Sequence, residues 1–397
     1  MEEPESERYV LHLAWVRWWS ALAYHAFSLA EGVRRHGFAS RIVAPPSSPL
    51  ADRAASAGMD GSRWRDLASR RPDRWLRAFR DLREAAVSGR LAAVFVHTGS
   101  GHFAAAAALR ATRSPLLRFR ADIRRPAAGP AARWLYVEGS DRVLPSGRFM
   151  IPGYFERLAV PAERIEVLPA GIDPETGGTI DRECARRRLR EERGWPEGAV
   201  VAGMLARYSP VKGHADLVAA ARSLLDPARG ALAERLRFVC AGPEGQLGRE
   251  AVETMAREAG IADRFAVLPA VDDPLALAAG LDAAVIASTG SEAVCRSALE
   301  YMALGVPLVA TEVHVIPETV GDAGVLVPPA HPGALAGAIA SLLDEPARAR
   351  SLAERGRRRV RERFDIARTS RRALEIVEAA AEERERRRSH GPRGARR

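Results

Sequence analysis

Lysine is nearly absent from this sequence. Lys212 is the only one in 397 residues, and the other 59 of its 60 basic Lys and Arg residues are arginine. It stands in the stretch LARYSPVKGH (205–214). Cysteine is also scarce. Cys184, Cys240 and Cys295 show no CxxC spacing, which argues against a disulfide framework or a zinc site and fits a reducing cytosol. No stretch approaches the roughly 18 apolar residues that a membrane span needs. The acidic opening MEEPESERY has no apolar core of the kind a secretory signal carries. No short-period repeat is present, and no carboxylate pair follows a strand in the manner of a DxD metal clamp. Asp272-Asp273 instead precedes Pro274, a pattern that starts a helix. A cytoplasmic protein without a bound cofactor or metal is expected.

What is present suits a two-domain α/β protein. Apolar content is 47%, ample for buried cores, and 397 residues exceed what one core usually serves. The net charge of +10 favours anionic partners: nucleic acid, acidic lipid or phosphate-bearing small molecules. Arginine used in place of lysine points to a GC-rich bacterial genome. The final EERERRRSHGPRGARR reads as a frayed basic tail.

Short apolar runs alternate with helical patterns. Strands are expected at 9–15, 39–45, 91–98, 115–121 and 141–146, with a helix over 20–37. The pattern restarts with strands at 163–173, 199–206, 235–242, 264–270, 283–288 and 306–311, and closes with helices at 332–344, 347–364 and 366–386. Continuous apolar runs separated by helices imply parallel sheets covered on both faces. The expected architecture is two Rossmann-like, doubly wound parallel-sheet domains facing a cleft, with ligands at the carboxyl ends of strands. The boundaries read as 1–168 and 169–364, then a helix over 365–386 and a basic tail over 387–397.

The chemistry concentrates at strand ends. Arg207 and Lys212 follow the strand AVVAGMLA and lead into the helix HADLVAAARSLL. A guanidinium fork with a compact ammonium suits a diphosphate, and a lysine on its thin stem reaches an oxygen too crowded for a planar guanidinium. Glu292 and Glu300 lie in GSEAVCRSALEYMALGVPLVAT (290–311). On one continuous helix they would be roughly 12 Å apart, too far for one metal ion but suited to two ends of an extended ligand. The helix N-terminus near Ala293–Arg296 would offer amides to phosphate. Taken singly, Glu292 is also readable as a first-turn acid and Glu300 as a solvated helix residue.

These residues carry a resemblance. Glu292 and Glu300, followed by YMALGVPLVAT, are similar to the E-x7-E signature of retaining glycosyltransferases. Arg207 with Lys212-Gly213, and IPETVGDAGVLVPPAHPGALAGAIASLL (316–343), resemble the same group, the family 4 type with the GT-B fold. The resemblance implies that Arg207 and Lys212 bind the donor diphosphate, that Glu292 contacts the donor sugar, that Glu300 contacts the ribose, and that the last helix returns to the N-terminal domain. The sequence departs from the family pattern where glycines are usual. Ala293–Arg296 replace a glycine-rich run, with Arg296 a further charge for phosphate. His314-Val315 replace Gly-Gly before IPE, and VRWWS (16–20) replaces a Gly-Gly loop.

In the N-terminal half, FVHTGSGH (95–102) places His97 and His102 at a strand end, facing the expected cleft. The resemblance gives His97 a place near the reacting sugar, and either histidine is also readable as structural. Asp122, Arg124, Trp18 and Trp19 are acceptor-side candidates; the tryptophans could stack on a sugar ring or dip into a bilayer interface. The implied function is transfer of a sugar from a nucleotide donor, UDP- or GDP-linked, to a hydroxyl of a glycan, lipid or small molecule. Retention and independence of metal are expected, with peripheral contact to anionic membrane. A sugar-nucleotide epimerase of related fold is the alternative, and a basic nucleic-acid-binding protein a weaker one, since no binding module is found.

Overall fold

The computed structural model describes residues 8–69 and 71–389. Two compact units divide the chain. One comprises everything up to Gly171 together with the segment from Ile366 onward, and the other is Ile172–Asp365.

The first unit is built on a five-stranded, wholly parallel sheet: β1 (Tyr9–Leu13), β2 (Ala39–Val43), β3 (Leu91–Val96), β4 (Leu116–Arg120) and β5 (Arg142–Pro145), in the order β2-β1-β3-β4-β5. Every residue of LAAVFV in β3 is buried, as a strand covered on both faces requires. The helix Ala21–Arg34 follows β1, its first turn capped by Ser20, whose hydroxyl accepts from the amide of Ala23 at 3.3 Å.

The last helix, Ile366–Ser389, belongs to this unit. Ala373, Ile376 and Val377 pack with Val10, Leu29 and Phe119. Arg384 fixes its far end. Its Nε donates to Asp141 at 2.7 Å, and its Nη1 donates to the carbonyls of Leu109 at 2.9 Å and Ser114 at 2.8 Å. The other Asp141 oxygen accepts from the amide of Leu116 at 2.8 Å, so the carboxylate is wholly committed to protein partners. Arg384→Ala would leave the buried Asp141 carboxylate without its cation and strand the Ser114 carbonyl. A loss of about 3 kcal/mol in denaturant unfolding is expected.

The second unit carries six parallel strands: β6 (Val200–Leu205), β7 (Leu236–Ala241), β8 (Phe265–Leu268), β9 (Ala283–Ile286), β10 (Leu308–Thr311) and β11 (Val325–Val327). Their order is β11-β10-β9-β6-β7-β8, the dinucleotide-fold arrangement in which the winding reverses between β6 and β9. Tyr208, Phe238, Leu217 and Ile339 lie among the side chains of its main core.

Three expectations are corrected. No strand forms over 163–173. A single bridge, Val143 to Ile165, and two backbone bonds to β5 run there, and Pro161 and Pro169 bracket the segment. The short strand β11 was not expected. The basic stretch from Glu382 to Ser389 is helical rather than frayed, and the rest of the expected tail, like the acidic first seven residues, lies outside the described residues. No helix among the described residues is long and apolar enough to cross a membrane.

Candidate functional site

In open parallel sheets the crevice for ligands opens where the winding reverses, beyond the carboxyl ends of the two strands involved. In the second unit these strands are β6 and β9, and they deliver the two motifs singled out in the sequence. Beyond β6 run Arg207, Tyr208 and the tight turn Pro210–Lys212. Beyond β9 run Ser288, Thr289 and Glu292. The amide of Thr289 donates to Val211 O at 2.9 Å and stitches the two loops together. Thr311, at the end of β10, donates through its hydroxyl to Ser288 O at 2.6 Å and fixes the β9 end from the other side.

Gly213 makes the close approach feasible. Its φ of +73° is a left-handed conformation that glycine adopts freely, and a Cβ there would lie 1.9 Å from the carbonyl oxygen of Ala287. Lys212 therefore emerges against the β9 loop. Its Nζ pairs with Oε1 of Glu292, which also accepts from the Ser288 hydroxyl at 2.5 Å. Glu292 is buried, its side chain 4% exposed, while Lys212 keeps 23% of its side chain exposed. The lysine is thus the solvent-reaching member of a fixed pair. Arg207 is exposed and makes no side-chain hydrogen bond or ion pair among the described residues.

The structure corrects one expectation about the acidic motif. Glu292 and Glu300 do not share a helix: the helix is Arg296–Leu304, and Glu292 stands in the loop before it. That helix has no side-chain cap, so its first amides are left for other acceptors. Arg296, the further phosphate candidate, donates from Nε to Glu300 Oε1 at 2.6 Å. Burial pushes the Glu300 carboxyl upward, against the pull of Arg296. Tyr301 accepts the amide of Leu205 at 2.8 Å and holds this helix to β6. Ser291 (φ +60°) and His314 (φ +48°) flank the loop in left-handed conformations that non-glycine residues seldom take. His314 occupies a place where the resembled family has glycine, and its Nδ1 accepts from the amide of Glu292 at 3.5 Å.

In the first unit the winding reverses between β1 and β3. There the Trp15 amide donates to the Thr98 hydroxyl at 3.0 Å. His97 and His102 were expected on an open wall, and both rings are enclosed instead. His97 is 2% exposed, its Nε2 hydrogen-bonded to Nδ1 of His12 at 3.1 Å, with His25 and Phe119 against it. His102 Nε2 is paired with the Ser140 hydroxyl at 2.9 Å. Burial depresses all four imidazoles, His12 and His25 to about 3. Trp19 packs edge-on against Tyr24 and Phe27, and Arg53 lies 4.4 Å above its ring. Trp18 is 62% exposed. Asp122 and Arg124 pair with each other at 2.8 Å.

Sequence reasoning missed His12, His25 and Ser288. A lone polar residue inside the apolar strand YVLHL was the one available sign of the first.

Two family models match, between them spanning most of the chain: "Glycosyltransferase Family 4" over residues 22–176 and "Glycosyl transferases group 1" over residues 185–359. The chain belongs to the family 4 glycosyltransferases. Among curated relatives of this chain, the D-inositol 3-phosphate glycosyltransferase of Segniliparus rotundus is 31% identical over 224 residues, 55% of this chain and 48% of the relative. That of Rhodococcus erythropolis is 29% identical over 265 residues, 66% of this chain and 58% of the relative. The chain spans about half the length of the curated relatives it matches. Solved structures share the fold. A glycosyltransferase from Rickettsia africae superposes with TM-score 0.79 at 17% identity, covering 94% of this chain and 99% of the other. Anabaena HepE, crystallised with UDP, gives 0.77 at 17% identity, covering 94% and 100%. These matches favour the glycosyltransferase reading over the epimerase alternative.

Proposed function

We propose that the enzyme moves a glycosyl unit from a UDP-linked sugar to an acceptor hydroxyl, with retention of anomeric configuration. One observation carries the proposal: Lys212 pairs with Glu292, with Arg207 in the same β6 loop, at the carboxyl ends of β6 and β9, the place this sheet topology reserves for a nucleotide. HepE binds UDP in a fold of the same kind, which supports uracil as the base.

In this reading the exposed Arg207 fork and the Lys212 ammonium hold the diphosphate. They stabilise the charge that gathers on it as the glycosidic bond breaks, the role of preorganised cations at a developing anion. Glu292, locked by Lys212 and Ser288, presents its remaining oxygen to the donor sugar. Glu300 faces the ribose, its carboxylate oriented by the hydrogen bond from Arg296. Arg296 is a support for Glu300 rather than a phosphate ligand. His97 and His102 have no direct part, because their rings are enclosed and paired. Trp18 is the exposed acceptor-side candidate. Cytoplasmic placement with peripheral contact to anionic lipid belongs to the same reading, and D-inositol 3-phosphate, named in the curated relatives, is the first acceptor to screen.

The test is thermal stabilisation by UDP, GDP and ADP. A diphosphate at about a hundred times its Kd adds roughly 2.7 kcal/mol to a native state that alone binds it. UDP is expected to raise the melting temperature and the other two to raise it less. Arg207→Ala, which disturbs no partner, should weaken the effect about tenfold in concentration, the worth of one charge-assisted contact. If UDP, GDP and ADP all leave the folded protein unshifted, the donor site is misassigned.

A further inference from the structure

Four large apolar side chains among the described residues are conspicuously exposed: Trp18, Leu76, Val87 and Phe103. Three of them sit on two neighbouring helices of the first unit. Leu76 (42% exposed) and Val87 (70%) are on the helix Pro72–Val87, and Phe103 (60%) is on the helix His102–Leu109. One helix leads into β3 and the other leads out of it, so both run antiparallel to that strand and parallel to each other. Arg83 sets their register, its Nη1 donating at 3.1 Å to the carbonyls of Ala108 and Arg110. Leu76 and Phe103 both stand near the starts of these two packed helices.

The apolar surface extends on both sides of this point. Trp75 and Phe79 stack at 5.2 Å between centroids and are only half-buried. Trp134 lies 5.5 Å from Phe103, and before it runs the exposed, uncharged stretch Ala127–Ala131. Arginines frame this surface. Arg74, Arg77 and Arg80 are exposed on the first helix, Arg110 ends the second and Arg133 precedes Trp134. None of the five makes an ion pair among the described residues, whereas Arg142, Arg190, Arg296 and Arg384 elsewhere are all paired with carboxylates. Glu84 is the exposed acid on the same helix that answers to no arginine.

Apolar and aromatic side chains ringed by unpaired arginines match the surface of an anionic bilayer: rings enter the headgroup boundary while the cations meet lipid phosphates. We propose that the helix Pro72–Val87, with Phe103 and the Ala127–Trp134 segment, is the face by which this enzyme docks on anionic lipid. The proposal gives a location to the peripheral membrane contact in the functional reading. It concerns lipid alone and does not depend on sugar transfer.

Vesicle co-sedimentation of the full chain tests it. The protein is expected to bind vesicles in which about a third of the lipid is phosphatidylglycerol and to ignore pure phosphatidylcholine. Binding should fade with added salt. Arg74→Ala/Arg77→Ala/Arg80→Ala should lose about 100-fold in partition, near fivefold per arginine. Phe103→Ser should weaken binding without changing its salt dependence. All four positions are exposed, and unchanged UDP stabilisation and melting temperature in the variants would show that fold and donor site are intact. Equal binding to both vesicle types overturns the proposal. So does binding to neither, or anionic binding undiminished in the triple variant. If the wild-type chain ignores vesicles but self-associates through a contact that Phe103→Ser abolishes, the face serves a second copy instead and the lipid assignment fails.

Discussion

Acidification is expected to unfold the first unit well before the second. His12, His25, His97 and His102 all belong to the first unit, and all four are buried. Burial holds His12 and His25 at about 3, and His97 and His102 well below the ordinary 6.5. Above pH 6.5 each ring is neutral folded or unfolded, and stability is complete. As pH falls through 6.5, the unfolded chain gains protons that the folded unit refuses, so stability drops until the folded values are reached. Each such histidine costs about 1.4 kcal/mol per pH unit, so four together cost roughly 5. A domain holding about 5–15 kcal/mol is exhausted within about one to three units below 6.5.

The second unit has only His214 in this position, at about 4, again through burial, and so loses far less. Six of the seven tryptophans lie in the first unit, so indole fluorescence reports it almost alone, while far-ultraviolet circular dichroism follows both. The expected result is a fluorescence transition between pH 5 and 4 (an estimate from the slope above) that precedes the main loss of ellipticity. Fluorescence unchanged at pH 4 would mean that the rings find protons or partners inside the fold. His25→Phe, placed against Phe119 at 4.0 Å between centroids, should move the transition toward lower pH by removing one of the four.

Gly213→Ala is expected to abolish UDP stabilisation and to cost the second unit more stability than backbone strain alone. Two penalties combine. Alanine at φ +73° is strained by about 1–2 kcal/mol on backbone grounds alone. The new methyl would also lie 1.9 Å from Ala287 O, on the rigid end of β9, so the turn bearing Lys212 must move away. Gly194, the left-handed cap of the helix Arg182–Arg193, separates the two effects. Its φ is +63° and nothing lies within 4 Å of a Cβ there. Gly194→Ala should cost only the backbone strain and leave UDP binding intact. If Gly213→Ala unfolds no more easily than Gly194→Ala in urea, the close approach of the two loops is looser than described.

The legible parts of this molecule were those with strong local signatures. β3 reads as a strand because six consecutive apolar residues leave no helical period, and the helix over 332–344 was expected at the bounds it takes. Lys212 and Gly213 stood out because each residue type has a distinct chemistry there. What failed depended on tertiary context. The helix before Glu300 begins at Arg296 because the preceding loop turns through Ser291 in a left-handed conformation, which serine does not advertise. The pairing of Arg296 with Glu300 is a helical neighbour contact that competes with any ligand. His97 looked exposed at a strand end, and only the arrival of His12 from β1 and His25 from the next helix encloses it. Three residues as short as VLV give β11 too little pattern to be seen.

The last helix of the first unit has a consequence for synthesis. Ala373, Ile376 and Val377 cover Leu29 and Phe119, yet they are made after the whole second unit. At ordinary translation rates the growing chain waits roughly ten to forty seconds between Gly171 and Ser389 with that apolar groove uncovered. The second unit has no such debt: its two ends meet, Ile172 donating to Phe364 O at 2.7 Å, so it can close as soon as it emerges. A ribosome-bound chain thus carries a finished nucleotide-fold unit downstream of an unfinished one, and chaperone capture of the nascent chain is expected to fall on the earlier half.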